Sequence, residues 1–193
     1  MATARLAKVR LTAADGGPLR IDLRTGAGSG EARPSVLICH GFKGFKDWGF
    51  FPKLAGRLAV AGFNAVSFNF SGSGVGEGED FDELDRWAHQ RPSTDLEDLQ
   101  IVTDYAAALG SRWIGVVGHS RGGGLGILHA ARDTRIKALV TWAAIDHFMR
   151  WSESDVRRWR TEGRLDAERP DRSGPAAADR RVGRPRCPLG WLA

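Results

Sequence analysis

Gly118-His119-Ser120-Arg121-Gly122 sets a serine between two glycines, each two residues away. A hydroxyl presented in this way can serve as a nucleophile. The glycines permit a turn so sharp that β-carbons at their positions would collide with the neighbouring strand or helix. The five-residue pattern alone carries little weight in a chain of 25 glycines. Its setting carries more, because an apolar run (113–117) leads into it and a small-residue helix (122–132) leads out. A nucleophile elbow requires that strand–turn–helix order.

His40-Gly41-Phe42 closes a second apolar run, 35–39, one crossover unit earlier. Attack of a serine on an acyl carbon builds negative charge on the carbonyl oxygen, and two backbone N–H groups aimed at that point stabilise it. The expected donors are the N–H groups of Phe42 and Arg121, with Gly118, His119, Gly122, His40 and Gly41 supporting the turn and the loop. His40 has no second ligand-type residue at metal-binding spacing, so it is expected to order the loop. No metal and no cofactor are implied. The glycine-rich stretch 72–78 is out of register for a dinucleotide loop. Glu77, Glu79, Asp80, Asp82, Glu83 and Asp85, within and just after it, would repel a phosphate. A mobile acidic loop at the mouth of the site is expected there. Trp142, Trp151 and Trp159 either roof an acyl pocket or pack in the interior.

The elements that must hold these residues follow from hydrophobic periodicity. Residues 5–13 and 19–24 alternate around Asp15-Gly16-Gly17 and read as an antiparallel hairpin at a sheet edge. Strands are predicted at 35–41, 64–72, 113–120 and 138–145. Helices are predicted at 51–61, from Ser93-Thr94-Asp95 onward, at 122–132, and from Ser152 to about Gly163. Strands alternating with helices of this length build a parallel sheet, whose ligand chemistry lies at the carboxyl ends of the strands.

His40-Gly41-Phe42 followed about 80 residues later by Gly118-His119-Ser120-Arg121-Gly122 resembles the α/β-hydrolase superfamily over about residues 5 to 165, and CHGFKGFKDW (39–48), FNFSGSG (68–74) and GHSRGGG (118–124) resemble more narrowly the bacterial esterases and peptidase-like members related to dienelactone hydrolases. Dienelactone hydrolases proper use a cysteine, so Ser120 points to serine esterase chemistry. The resemblance implies a mostly parallel α/β-hydrolase sheet behind the antiparallel hairpin. It also implies a catalytic acid and then a histidine after the serine. Only His129 and His147 follow Ser120. His129 lies nine residues along the exit helix, about 13 Å away along its axis. His147 adjoins Asp146 at a strand tip, where neighbouring residues point apart and loop capping is the plainer role. The last strands and helices of the family are expected to be missing, as in a truncated or frameshifted chain. Residues 1–168 then form a partial hydrolase domain, followed by a disordered Arg/Pro/Ala/Gly-rich tail, 169–193.

Composition agrees with one domain: 193 residues, 42% apolar and 26% charged. Residues 169–193 hold six arginines against Asp171 and Asp179, and so supply +4 of the net +5. The body has no basic face, and the tail lacks the interleaved aromatics of a nucleic-acid binder, so no nucleic acid is expected. No apolar run reaches the about 18 residues of a membrane span. Two cysteines, Cys39 and Cys187, make no disulfide framework, which fits a cytoplasmic location. The expected function is hydrolysis of small carboxylic esters or related acyl compounds, weak or absent without the acid and base. The alternative is an inactive remnant that binds small hydrophobic ligands or a partner. Self-association through an uncovered 138–145 strand edge is expected.

Overall fold

The computed structural model describes residues 4–27, 32–149 and 152–162. Six strands form one sheet: β1 (Arg5–Thr12), β2 (Pro18–Thr25), β3 (Ser35–Cys39), β4 (Asn64–Phe68), β5 (Ile114–His119) and β6 (Ile136–Trp142). Their spatial order is β1-β2-β4-β3-β5-β6. The β1–β2 hairpin is antiparallel and adds to β4 in antiparallel sense, while β4, β3, β5 and β6 run parallel. Asp15 accepts a hydrogen bond from the Gly17 N–H (2.9 Å) inside the hairpin turn, where Gly16 has φ +81°. The expected α/β-hydrolase-type sheet is therefore present, with its antiparallel entry.

Every residue of β3 and β4 is buried, as continuous apolar runs require of strands covered on both faces. Alternation divides their side chains between two layers. Ile38 and Ala65 meet Phe51 and Ala55 of α1 (Phe51–Val60) on one face. Leu37, Cys39, Val66 and Phe68 meet Leu99, Val102 and Ala106 of α3 (Pro92–Ala108) and Leu125 of α4 (Arg121–Ala130) on the other. β6 is different: its residues from Lys137 to Trp142 are exposed, and among the described residues it is the outer strand of its edge. Ser152 caps α5 (Glu153–Glu162), its hydroxyl accepting from the Asp155 N–H at 3.1 Å.

Two expectations need correction. The acidic loop is not free. Glu77 takes Arg10 (2.5 Å) and Arg20 (2.8 Å), Glu83 takes Arg20 (2.6 Å), and the short helix α2 (Leu84–Ala88) buries Trp87. Strand arginines projecting toward the loop were the unused signal. The third helix begins at Pro92, not at a Ser-Thr-Asp cap. Proline at the first helical position needs no N–H partner, and Asp95 is turned inward for another purpose. The 169–193 tail, Trp151 and the side chain of Trp159 lie outside the described residues.

Candidate functional site

β5 ends at His119 and α4 starts at Arg121, so Ser120 alone makes the turn. Its φ of 52° and ψ of −116° lie in a region that a residue with a β-carbon occupies only under strain. Four backbone hydrogen bonds hold it there. The Ser120 N–H donates to the Trp142 carbonyl (2.8 Å), and the Ser120 carbonyl accepts from Gly123 (3.0 Å), Gly124 (3.2 Å) and Ile145 (3.2 Å). The glycines are a steric necessity. A β-carbon on Gly118 would stand 2.6 Å from the Gly123 Cα, and one on Gly122 would stand 2.5 Å from the Cys39 carbonyl oxygen.

The loop after β3 lies directly against this turn, since a β-carbon on Gly41 would come 3.2 Å from the Ser120 Cβ and 3.1 Å from His119 Nδ1. His40 is buried in this loop. Its Nδ1 hydrogen-bonds the Gly41 carbonyl (2.9 Å) and its Nε2 accepts from the Phe70 N–H (3.2 Å), which fixes a neutral ring protonated at Nδ1. Burial pushes its pKa down to about 4. The Gly41 hydrogen bond opposes that shift and the Arg121 charge adds to it. Phe42 packs on Trp87, with ring centroids 6.0 Å apart.

The His40 shift has a measurable consequence. An unfolded histidine titrates near 6.5, so the unfolded chain binds this proton first as the pH falls. The stabilisation from neutral His40 is complete above about pH 6.5 and is lost as the pH drops toward 4, a swing of about 3 kcal/mol. Buried His129 is shifted in the same direction and buried Asp98 in the opposite one, so the contribution is isolated by comparison with a variant. Urea unfolding of the wild type and of His40→Gln between pH 7 and pH 4.5 is expected to show the steeper acid loss in the wild type. Parallel curves would contradict the assignment.

The chain has five histidines, all among the described residues, and none is hydrogen-bonded to the Ser120 hydroxyl. His40 is engaged as above. His89 bonds the Asp85 carbonyl (2.7 Å). His119 sits among the rings of Trp48, Phe50, Phe51 and Trp142, with centroids 6.0 to 6.4 Å away. His129 Nε2 donates to Thr103, whose own hydroxyl donates to the Leu99 carbonyl. His147 pairs with Asp146 (Nδ1 to Oδ1, 2.5 Å) in open solvent, its side chain 64% exposed.

Trp142 is not an interior residue: it is 57% exposed and leans on Phe50, with centroids 4.6 Å apart. Sequence reasoning missed the partner of Arg121. The guanidinium is buried and ion-paired to Asp95 of α3. Asp95 and Asp98 fall on the same helical stripe as Leu99, Val102 and Ala106, and acids on an apolar stripe signal buried partners. Asp98 accepts from the Ser71 N–H (2.7 Å) and the Ala14 N–H (3.1 Å), joining the hairpin to the segment after β4. No group of three or more metal-ligating side chains occurs among the described residues. No described helix is long and apolar enough to cross a membrane.

Two curated Escherichia coli relatives, each described as an uncharacterized 31.7 kDa protein in the traX-finO intergenic region, are 31% and 30% identical over 114 residues. That span is 58% of this chain and 37% of theirs. Among solved structures, a hypothetical protein from Pseudomonas aeruginosa aligns with a TM-score of 0.67 at 21% identity, covering 89% of this chain and 60% of that one. A putative dienelactone hydrolase from Klebsiella pneumoniae aligns at 0.59, with 18% identity and 73% and 60% coverage. Brefeldin A esterase, a bacterial homologue of human hormone sensitive lipase, aligns at 0.57, with 20% identity and 82% and 44% coverage. The chain thus spans less than two thirds of each of these proteins. The model of the alpha/beta hydrolase fold matches residues 34–176, well over half of the sequence, and on that match the chain belongs to the alpha/beta hydrolase family.

Proposed function

We propose that Ser120 is the nucleophile of an acyl-transfer centre acting on small carboxylic esters or related acyl compounds. The observation that carries this reading is the strained Ser120 turn with the His40–Phe42 loop lying against it. Ser120 Oγ would add to the substrate carbonyl carbon, and the Phe42 and Arg121 N–H groups would receive the oxyanion. Collapse would expel the alcohol oxygen, which takes up a proton, and water would then release the acid from the acyl-serine. Similarity to dienelactone hydrolases and to brefeldin A esterase supports an ester-type bond as the target.

With no histidine at the hydroxyl, the serine proton passes to solvent, and turnover by the chain is weak. That same observation favours a second reading, a family member that binds small hydrophobic ligands without catalysis. Labelling separates the two. Oxyanion stabilisation alone retains part of the catalytic advantage, so a fluorophosphonate is expected to modify Ser120 ahead of the other serines, slowly, with no adduct in Ser120→Ala. Scattered or absent modification in a folded sample would leave the binding reading. We also propose that two copies associate through the β6 edge.

A further inference from the structure

Arg121 is the first residue of α4 and, among the described residues, the largest side chain that is fully buried. A cation at a helix N-terminus opposes the helix dipole, and a guanidinium in the interior is costly unless paired. Asp95 answers both problems. It lies in the first turn of α3, its side chain 1% exposed, and forms an ion pair with Arg121. The same guanidinium is near enough to His40 to depress that ring's pKa. One charge pair thus lies where the α3 start, the His40–Phe42 loop and the Ser120 turn converge.

We propose that Asp95 is a positioning residue for the reaction at Ser120, acting through the Arg121 guanidinium to fix the direction of the Arg121 backbone N–H. The proposal rests on the reading of Ser120 as nucleophile. The buried Arg121 side chain is tied to Asp95 at its guanidinium end, and at its backbone end lies the N–H immediately after the nucleophile. Stability alone does not require the pair, because buried ion pairs exchanged for apolar side chains of similar volume often leave a fold as stable or more so. A purely structural pair would therefore be replaceable without effect on the serine.

The test is the rate of Ser120 phosphonylation by a fluorophosphonate, followed by intact mass on the full chain, alongside urea unfolding. The variants are Asp95→Asn, Asp95→Glu and the double change Asp95→Leu with Arg121→Met. Asp95→Asn is expected to slow labelling by about tenfold or more, since a single oxyanion donor is worth at least that much. Asp95→Glu should recover part of the loss. The apolar double variant should unfold at a urea concentration close to the parent's and yet label as slowly as Asp95→Asn. If Asp95→Asn does not fold, the double variant decides. A folded variant lacking the carboxylate that labels at the parent rate overturns the role of Asp95 alone. A parent chain with no adduct on Ser120 removes the nucleophile, and the positioning role with it.

Discussion

p-Nitrophenyl acetate hydrolysis by the 193-residue chain is expected to fall about 10⁴-fold or more below that of a family member with a complete serine–histidine–acid relay. The magnitude follows from what is left when a triad loses its base, namely oxyanion stabilisation and binding. None of the five histidines is hydrogen-bonded to the Ser120 hydroxyl. His40 cannot take up the Ser120 proton, because its Nε2 already accepts the Phe70 N–H and burial disfavours its charged form. His129, on the far part of α4, is bound to Thr103 of α3. His147 has the chemistry of a base and an acid beside it, but it is held to Asp146 in solvent rather than to the serine. Rates for the wild type, Ser120→Ala and His147→Gln check this. A Ser120-dependent rate within about a hundredfold of the intact relative, lost in His147→Gln, would show that the Asp146–His147 pair swings in and serves.

The second large effect concerns β6, the outer strand at its edge of the sheet among the described residues. β6 presents Val140 (56% exposed) and Trp142 (57% exposed), and Lys137 is its only charge. β1, at the opposite edge, carries Arg5, Lys8 and Arg10, which discourage another strand from docking. Two β6 strands running antiparallel across a two-fold axis would keep their Lys137 residues well apart and close the assembly at two copies. The chain is expected to elute as a dimer or to precipitate, and to bind a hydrophobic dye. Val140→Lys should shift it toward a soluble monomer, at little cost to the fold because the side chain is already in solvent. A monodisperse wild-type monomer with a cooperative melt above about 55 °C would contradict the proposal.

How much of this was legible in the sequence depended on the range of the interactions. β3 and β5 announce themselves as continuous apolar runs, and the Gly118–Gly122 spacing marks the turn, because local sterics decide both. The acidic loop was misread because its order comes from Arg10 and Arg20, dozens of residues away on β1 and β2. Asp95 was misread for a related reason. Local propensity made it a cap, whereas tertiary burial made it the counter-ion of Arg121. His40 shows both ranges at once: its Nδ1 bonds the adjacent Gly41 carbonyl, whereas its Nε2 takes the N–H of Phe70, which no local pattern discloses.

The crowding around Gly118 and Gly122 also bears on how such a chain drifts over generations. Every single-base change in a glycine codon that alters the encoded residue introduces a β-carbon, and at these two positions that atom has no room. Selection for a folded sheet would therefore preserve both glycines in a lineage that no longer hydrolyses anything. At position 120 an alanine would keep the same β-carbon, so the hydroxyl could be lost without disturbing the backbone bonds around it. Among descendants of this chain, retained glycines would report that the protein still folds, and only a retained serine would report that it still reacts.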